Sequence, residues 1–194
     1  MRPLVFVVGA SSLGTEIAAA RLVAPHFGAS TVIWANTIAT VLLALSLGYW
    51  LGGVLADRSP ERRGLARLVI AAAALLALVP FAGPPLLDAA ADAVGTAGTG
   101  EVVGSLLAIV VLVAPPVLLL GCVAPYAVRL TVPDVESAGA TAGGLYALST
   151  VGSLLGVWLS ALVLVPFLGT RLTFLAFAAA LAAVALLSAR GDGS

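Results

Sequence analysis

Apolar residues run along this chain in long blocks and do not alternate with polar ones. Spanning a bilayer's hydrocarbon core takes about 20 mostly apolar residues as a helix. Six stretches of that kind can be marked off, at 4–24, 31–55, 65–83, 103–128, 142–166 and 172–189. A period of two, which a transmembrane barrel requires, is absent, so every backbone amide inside lipid must be paired within its own segment, and the spans are predicted to be helices. The opening run MRPLVFVVGASS continues past Glu16 into more apolar sequence and reads as a retained helix, not a cleaved leader.

Arginines set the expected orientation. Arg58, Arg62 and Arg63, with Arg67 just beyond, lie between the second and third blocks, whereas Asp88, Asp92 and Glu101 lie between the third and fourth. By the positive-inside rule the first of these loops is cytoplasmic, and six spans then put both termini on the cytoplasmic side of an inner, cell membrane. In the external connection, about 84–100, Leu86, Leu87, Ala90 and Val94 recur at helical spacing opposite Asp88 and Asp92. After Pro84-Pro85 this reads either as a short interfacial helix or as a solvated loop.

Composition strengthens the membrane reading and excludes others. Of 194 residues 61% are hydrophobic and 9% charged, with a mean hydropathy of +1.17. The formal charge is zero, which removes any argument for nucleic acid. One cysteine, Cys122, and one histidine, His26, offer no disulfide, no metal-ligand spacing and no Ser/His/Asp set; no cofactor is expected.

Sliding the chain against itself gives a weak, collinear repeat offset by about 100 residues. Val23-Ala24-Pro25-His26 matches Val123-Ala124-Pro125-Tyr126, Ala44-Leu45-Ser46 matches Ala147-Leu148-Ser149, and Arg67-Leu68 matches Arg171-Leu172. Gly48 and Gly52 in the second block correspond to Gly152 and Gly156 in the fifth, small pairs that let neighbouring helices approach closely. The chain is therefore expected to be one all-α polytopic membrane domain, 1–194, of two three-helix repeats, about 1–83 and 101–190. An odd number of helices per unit makes the repeats inverted, the plan of many transporters and of each six-helix half of the major facilitator fold.

Charges within such a bundle are functional suspects. Glu16 is the one carboxylate deep in a predicted span, and Ser12 lies one turn before it on the same face. Arg21, five residues on, is badly placed to pair with Glu16 on the same helix, so a partner on another helix, such as Arg129, is the better expectation. Asn36 is placed to reach Glu16's neighbourhood, and His26 and Trp34 read as interfacial anchors. Ser11, Ser12 and Gly14 are expected to loosen the first helix, and Pro115-Pro116 to break the fourth at a matching depth. Tyr49, Trp50, Tyr126, Tyr146 and Trp158 read as interface belts or packing surfaces.

The stretch GYWLGGVLADRSPERR, Gly48 to Arg63, resembles the cytoplasmic signature between the second and third helices of major facilitator transporters, with Gly53, Asp57, Arg58, Arg62 and Arg63 at the matching places. That resemblance implies a charged latch between two six-helix halves, although Ser59-Pro60-Glu61 replaces the usual glycine-containing spacer. Across nearly the whole chain, the Glu16 to Arg21 spacing before Gly28-Ala29-Ser30, Pro115-Pro116 through Gly121 to Pro125, and Leu145-Tyr146-Ala147 with Ser149, Gly152 and Gly156 resemble the membrane half of fused transporter/spermidine-synthase-like proteins. Val117 stands where that family often has threonine. The synthase-like domain that follows there has no counterpart before Ser194, so the domain is expected as a separate polypeptide or the chain as the membrane module alone.

The resemblance implies a half-size transporter acting as a homodimer on a small solute, a polyamine by association, with Glu16 at the binding site. The alternative is a membrane anchor or regulatory subunit for a separate spermidine-synthase-like aminopropyltransferase, with no transport of its own.

Overall fold

The computed structural model describes residues 1–94, 98–132 and 134–190, and among them every regular element is a helix. The tail after Arg190 and residues 95–97 of the external connection lie outside the described residues. In order the elements are α1 (Arg2–Phe27), α2 (Thr31–Arg58), α3 (Arg62–Val94), α4 (Thr99–Leu112), α5 (Ala114–Gly121), α6 (Val123–Thr131), α7 (Ala138–Leu159), a π-helical turn (Ser160–Leu164) and α8 (Val165–Arg190). Several of these are long and apolar enough to cross a membrane: Arg2–Phe27, Thr31–Arg58, Arg62–Val94, Ala114–Thr131 and the nearly continuous Ala138–Ala189. The last covers 52 residues and is divided by Gly169, whose φ of 79° takes it out of the helix. Only glycine adopts that conformation without a steric cost.

Three boundaries differ from the sequence expectation. The third helix does not stop at Pro84-Pro85 but runs on to Val94, through Pro80 as well. Proline removes a single donor and bends a helix without having to end it. Here the continuation is held because Leu87 is fully buried, with Leu86, Ala90 and Ala91 packed on the same core. Neither the short separate interfacial helix nor the solvated loop forms at 84–94. The first helix is not loosened: α1 is unbroken, because its small residues serve packing and not unwinding. The interruptions fall between α4, α5 and α6, at Val113 and Cys122, and at the π turn, where Ser160 donates to the Gly14 carbonyl at 2.8 Å. Pro115 and Pro116 sit in the first turn of α5, where a missing N–H costs least.

α1 is the axle of the bundle. It packs along α7 on one side and α8 on another, while α2 packs along α5, α6 and α4, and α3 is clasped between α8 and the α4–α5 pair. Close approach depends on two glycine pairs. A methyl group at Gly152 or Gly156 of α7 would overlap the carbonyls of Phe6 or Ala10 in α1, and one at Gly48 or Gly52 of α2 would overlap those of Leu118 or Cys122. Side-chain hydrogen bonds add to the α1–α7 seam, with Ser153 Oγ donating to Gly9 O at 3.0 Å. The core itself is aliphatic and aromatic, with Val8, Ala18, Val23, Leu76, Ile109, Val117, Phe174 and Leu181 all buried.

Contacts sort the loops into two ends. His26 meets Asp88, Ser30 meets Glu101, and Arg171 lies 4.5 Å over the Phe81 ring at one end. Asp57 meets Arg129, and Tyr126 meets Ser59, at the other. Between the ends the outer surface is apolar: Leu42, Leu43, Trp50, Trp158, Leu162 and Phe167 are all exposed. An apolar belt of that extent suits lipid or a protein partner and not water.

Candidate functional site

α1, α2, α5–α6 and α7 leave a cleft of about 260 Å³ between them. α1 contributes Val5, Val8, Gly9, Ser12 and Leu13, which recur at helical spacing and therefore form one stripe. α2 adds Leu45 and Tyr49; α5 and α6 add Leu120, Val123 and Ala124 around the Cys122 break; α7 adds Tyr146, Ser149, Thr150 and Ser153. Ser12 is the one predicted site residue in this lining, and no charged residue belongs to it.

The state of the hydroxyl groups decides what such a wall can bind. Ser12 Oγ donates to Val8 O at 2.9 Å, Thr150 Oγ1 to Tyr146 O at 2.9 Å, and Ser153 Oγ to Gly9 O at 3.0 Å. Their protons are committed to backbone carbonyls, so toward the cleft these three oxygens present lone pairs only. Tyr49 and Tyr146 stand in the same lining, and an aromatic ring can hold a cation over its face. Ser149 and the two phenols, in the same lining, can donate as well as accept, so the wall offers more acceptors than donors.

Glu16 is half-buried one turn beyond Ser12 on the same stripe, outside the cleft lining. Among the described residues it has no hydrogen bond or ion pair. The cross-helix partner considered for it, Arg129, instead pairs with Asp57 (Nε to Oδ1, 3.4 Å), and Arg21 is exposed. Asn36 does not approach Glu16 either. Its Nδ2 donates to Ser105 Oγ at 2.8 Å and to Val102 O at 3.0 Å, which fastens α2 to α4, and α4 is the neighbour available that close to the helix start. Pro115 and Pro116 line a separate groove against Leu75, Val79 and Leu86 of α3. The prolines and Glu16 are therefore not brought to one site.

Of the expected latch, Asp57, Arg58, Arg62 and Arg63 are all exposed, and a methyl group at Gly53 would meet nothing within 4 Å. Tyr126, read from the sequence as a belt or packing residue, packs in the core and carries a tie that the sequence reading missed. It is 3% exposed, its phenol donates to Ser59 O, and Glu61 N–H donates to that same phenol oxygen at 3.3 Å. A tyrosine near the end of one predicted span, with a proline-containing loop at the end of another, was the available signal. His26, read as an anchor, is paired through Nε2 with Asp88 Oδ1 at 3.1 Å, because the unbroken α3 carries Asp88 alongside it.

Outside the spans, Asp134 holds the turn that precedes α7. Its Oδ1 accepts the Ser137 N–H at 2.7 Å, and the Ser137 hydrogen bonds hold the carboxyl below the ordinary carboxylate range. Compared with protein families, with characterised proteins and with solved structures, the chain matches none.

Proposed function

We propose that this chain is a half-size, major-facilitator-like transporter module of six passes, whose cleft takes a small ammonium-bearing solute of the polyamine class. The observation that carries the reading is the set of three hydroxyls, Ser12, Thr150 and Ser153, that are left with acceptor capacity alone, beside two tyrosines and with Glu16 one turn further along. An alkylammonium group has three donors and no acceptor, so it is what lone pairs, π faces and a carboxylate have in common.

Helix packing supports an inverted repeat. α7 clasps α1 through Gly152 and Gly156 just as α2 clasps the fourth pass through Gly48 and Gly52, and the face of Gly9 lies on Ser149 as that of Gly121 lies on Leu45. These pairings relate α1 to the fourth pass about three turns out of the register given by Val23–His26 and Val123–Tyr126. The packing, not that sequence match, is the better guide to the symmetry. In this reading the arginine-rich end is cytoplasmic, both termini lie there, and a second copy closes the cleft face to make two lobes.

Reconstituted vesicles provide the test. Uptake of labelled linear polyamines is expected, with Glu16→Gln reducing it by an order of magnitude or more. Full uptake by that variant removes the role given to Glu16, and a strictly monomeric particle in lipid nanodiscs removes the two-lobed assembly. A second reading, an anchor for a separate aminopropyltransferase-like enzyme, draws on the exposed Arg58 and Arg63 of a loop pinned by Tyr126. Co-purification of such an enzyme, without uptake, would favour it.

A further inference from the structure

We propose that the groove between the middle of α3 and the α4–α5 junction binds a lipophilic alcohol or phenol, its apolar body along the groove and its hydroxyl donating to the carbonyls that Pro115 and Pro116 leave without a donor. Leu75, Leu78, Val79 and Ala82 of α3 form one wall and Val111, Leu112, Pro115 and Pro116 the other, around about 320 Å³. Every side chain in the lining is hydrocarbon. Leu78, Ala82 and Val111 are exposed, so the groove opens on the outer surface of the bundle, whereas Val79, Leu112 and Pro116 are buried and form its floor.

Two backbone carbonyls give this apolar groove its polarity. In a helix the carbonyl of one residue accepts from the amide four residues on. Proline has no N–H, so Pro115 and Pro116 give the carbonyls of Val111 and Leu112 no such donor, and the same direction carries both oxygens to the wall that the prolines form. Among the described residues no side chain donates to either; the nearest polar side chains of these helices, Ser105 and Cys122, donate to Val102 O and Leu118 O. The α4–α5 junction falls halfway along 99–131, and Leu78 halfway along Arg62–Val94, so in a bilayer the groove lies far from either headgroup layer. A bare carbonyl there carries a cost that no water offsets.

That cost selects the occupant. A plain acyl chain fills the walls and leaves both oxygens bare, and an ammonium head brings a charge that nothing in this lining balances. A hydroxyl on an apolar body brings one neutral donor and covers the rest. The site involves neither Glu16 nor the Ser12 cleft, so it stands or falls separately from the function proposed above.

Photolabelling of the full chain in lipid nanodiscs tests the site, with diazirine-bearing decanol and its methyl ether as the two probes. Labelling of the groove, at 75–82 and 111–116, is normalised to that of Leu43, which is exposed near the middle of α2 and has no proline four residues on. The alcohol is expected to label the groove about fivefold over the ether, the equivalent of ~1 kcal/mol for one net hydrogen bond. Replacing both prolines, Pro115→Ala with Pro116→Ala, supplies the missing N–H groups and should bring the two probes level. Ala82→Phe, which fills the groove and leaves the carbonyls alone, should lower labelling by both. Equal labelling by the two probes in the unaltered chain overturns the proposal and leaves an acyl-chain groove. An alcohol preference that survives both alanines overturns it as well, since the acceptor is then elsewhere. So does labelling by neither probe in a dimeric particle, which would mean that a second copy covers this face.

Discussion

The phenol of Tyr126 donates to the carbonyl of Ser59, tying α6 to the loop between α2 and α3. The same oxygen accepts the Glu61 amide at 3.3 Å, while that amide also donates to Ser59 O at 2.8 Å, so the phenol braces a turn that is already closed across Pro60. Tyr126→Phe keeps the buried ring and removes only these bonds. A loss of about 1 kcal/mol follows, modest because the freed loop groups can turn to water. Trypsin should cut faster at Arg58, Arg62 and Arg63 in that variant, and an unchanged cleavage rate would show that the loop is held by other contacts.

Glycine at Gly152 and Gly156 is required by the backbone of α1, whereas Gly53 is not required by anything nearby. Gly156→Ala should therefore cost about 1–3 kcal/mol, as overpacking does when the obstacle is a carbonyl that cannot rotate away. Gly53→Ala should be neutral or slightly stabilising, since alanine favours the helix. Thermal unfolding of both variants in one detergent gives the comparison. An equal shift in the two would mean that close packing is not what these glycines serve.

What could be read from the sequence was what depends on composition and local spacing. Block hydrophobicity marked the apolar helices, and the spacing of Gly48, Gly52, Gly152 and Gly156 marked the two tight seams without naming their partners. Proline was over-read: Pro84-Pro85 end a helix only if nothing repays the lost bond, and the burial of Leu87, a tertiary fact, does repay it. Serine was over-read too. Ser12 and Thr15 return their protons to their own helix, at 2.9 Å to Val8 O and 2.7 Å to Ser11 O, and so leave α1 intact. Of the candidate site, the Ser12 stripe was visible because it repeats on one helix. The contribution of Tyr146, Ser149, Thr150 and Ser153 was not, since it depends on which face α7 turns to α1.

Asn36 bridges to two acceptors on α4, Ser105 Oγ and Val102 O, and Ser105 Oγ itself donates back to Val102 O at 3.2 Å. Cross-helix hydrogen bonds of this kind average about 0.6 kcal/mol in membrane proteins. Asn36→Leu should thus destabilise by roughly 1 kcal/mol while leaving polyamine uptake intact. A selective loss of uptake at unchanged stability would return Asn36 to the solute site.

Protonation of Asp134 should loosen the turn that starts α7. Its carboxyl lies below the ordinary carboxylate range because the charged form accepts the Ser137 N–H. A depressed value means that the contribution is complete above the ordinary aspartate range and is lost as pH falls through the lowered value. Full exposure and solvent screening keep the effect local, so global unfolding is the wrong readout. The amide resonance of Ser137 is the right one. Titrated by NMR, it should move with a midpoint below that of an unperturbed aspartate, and Asp134→Asn should abolish the movement. A midpoint at or above the ordinary value would mean that Ser137 does not hold the carboxylate in solution, and the turn before α7 would then stand without this bond.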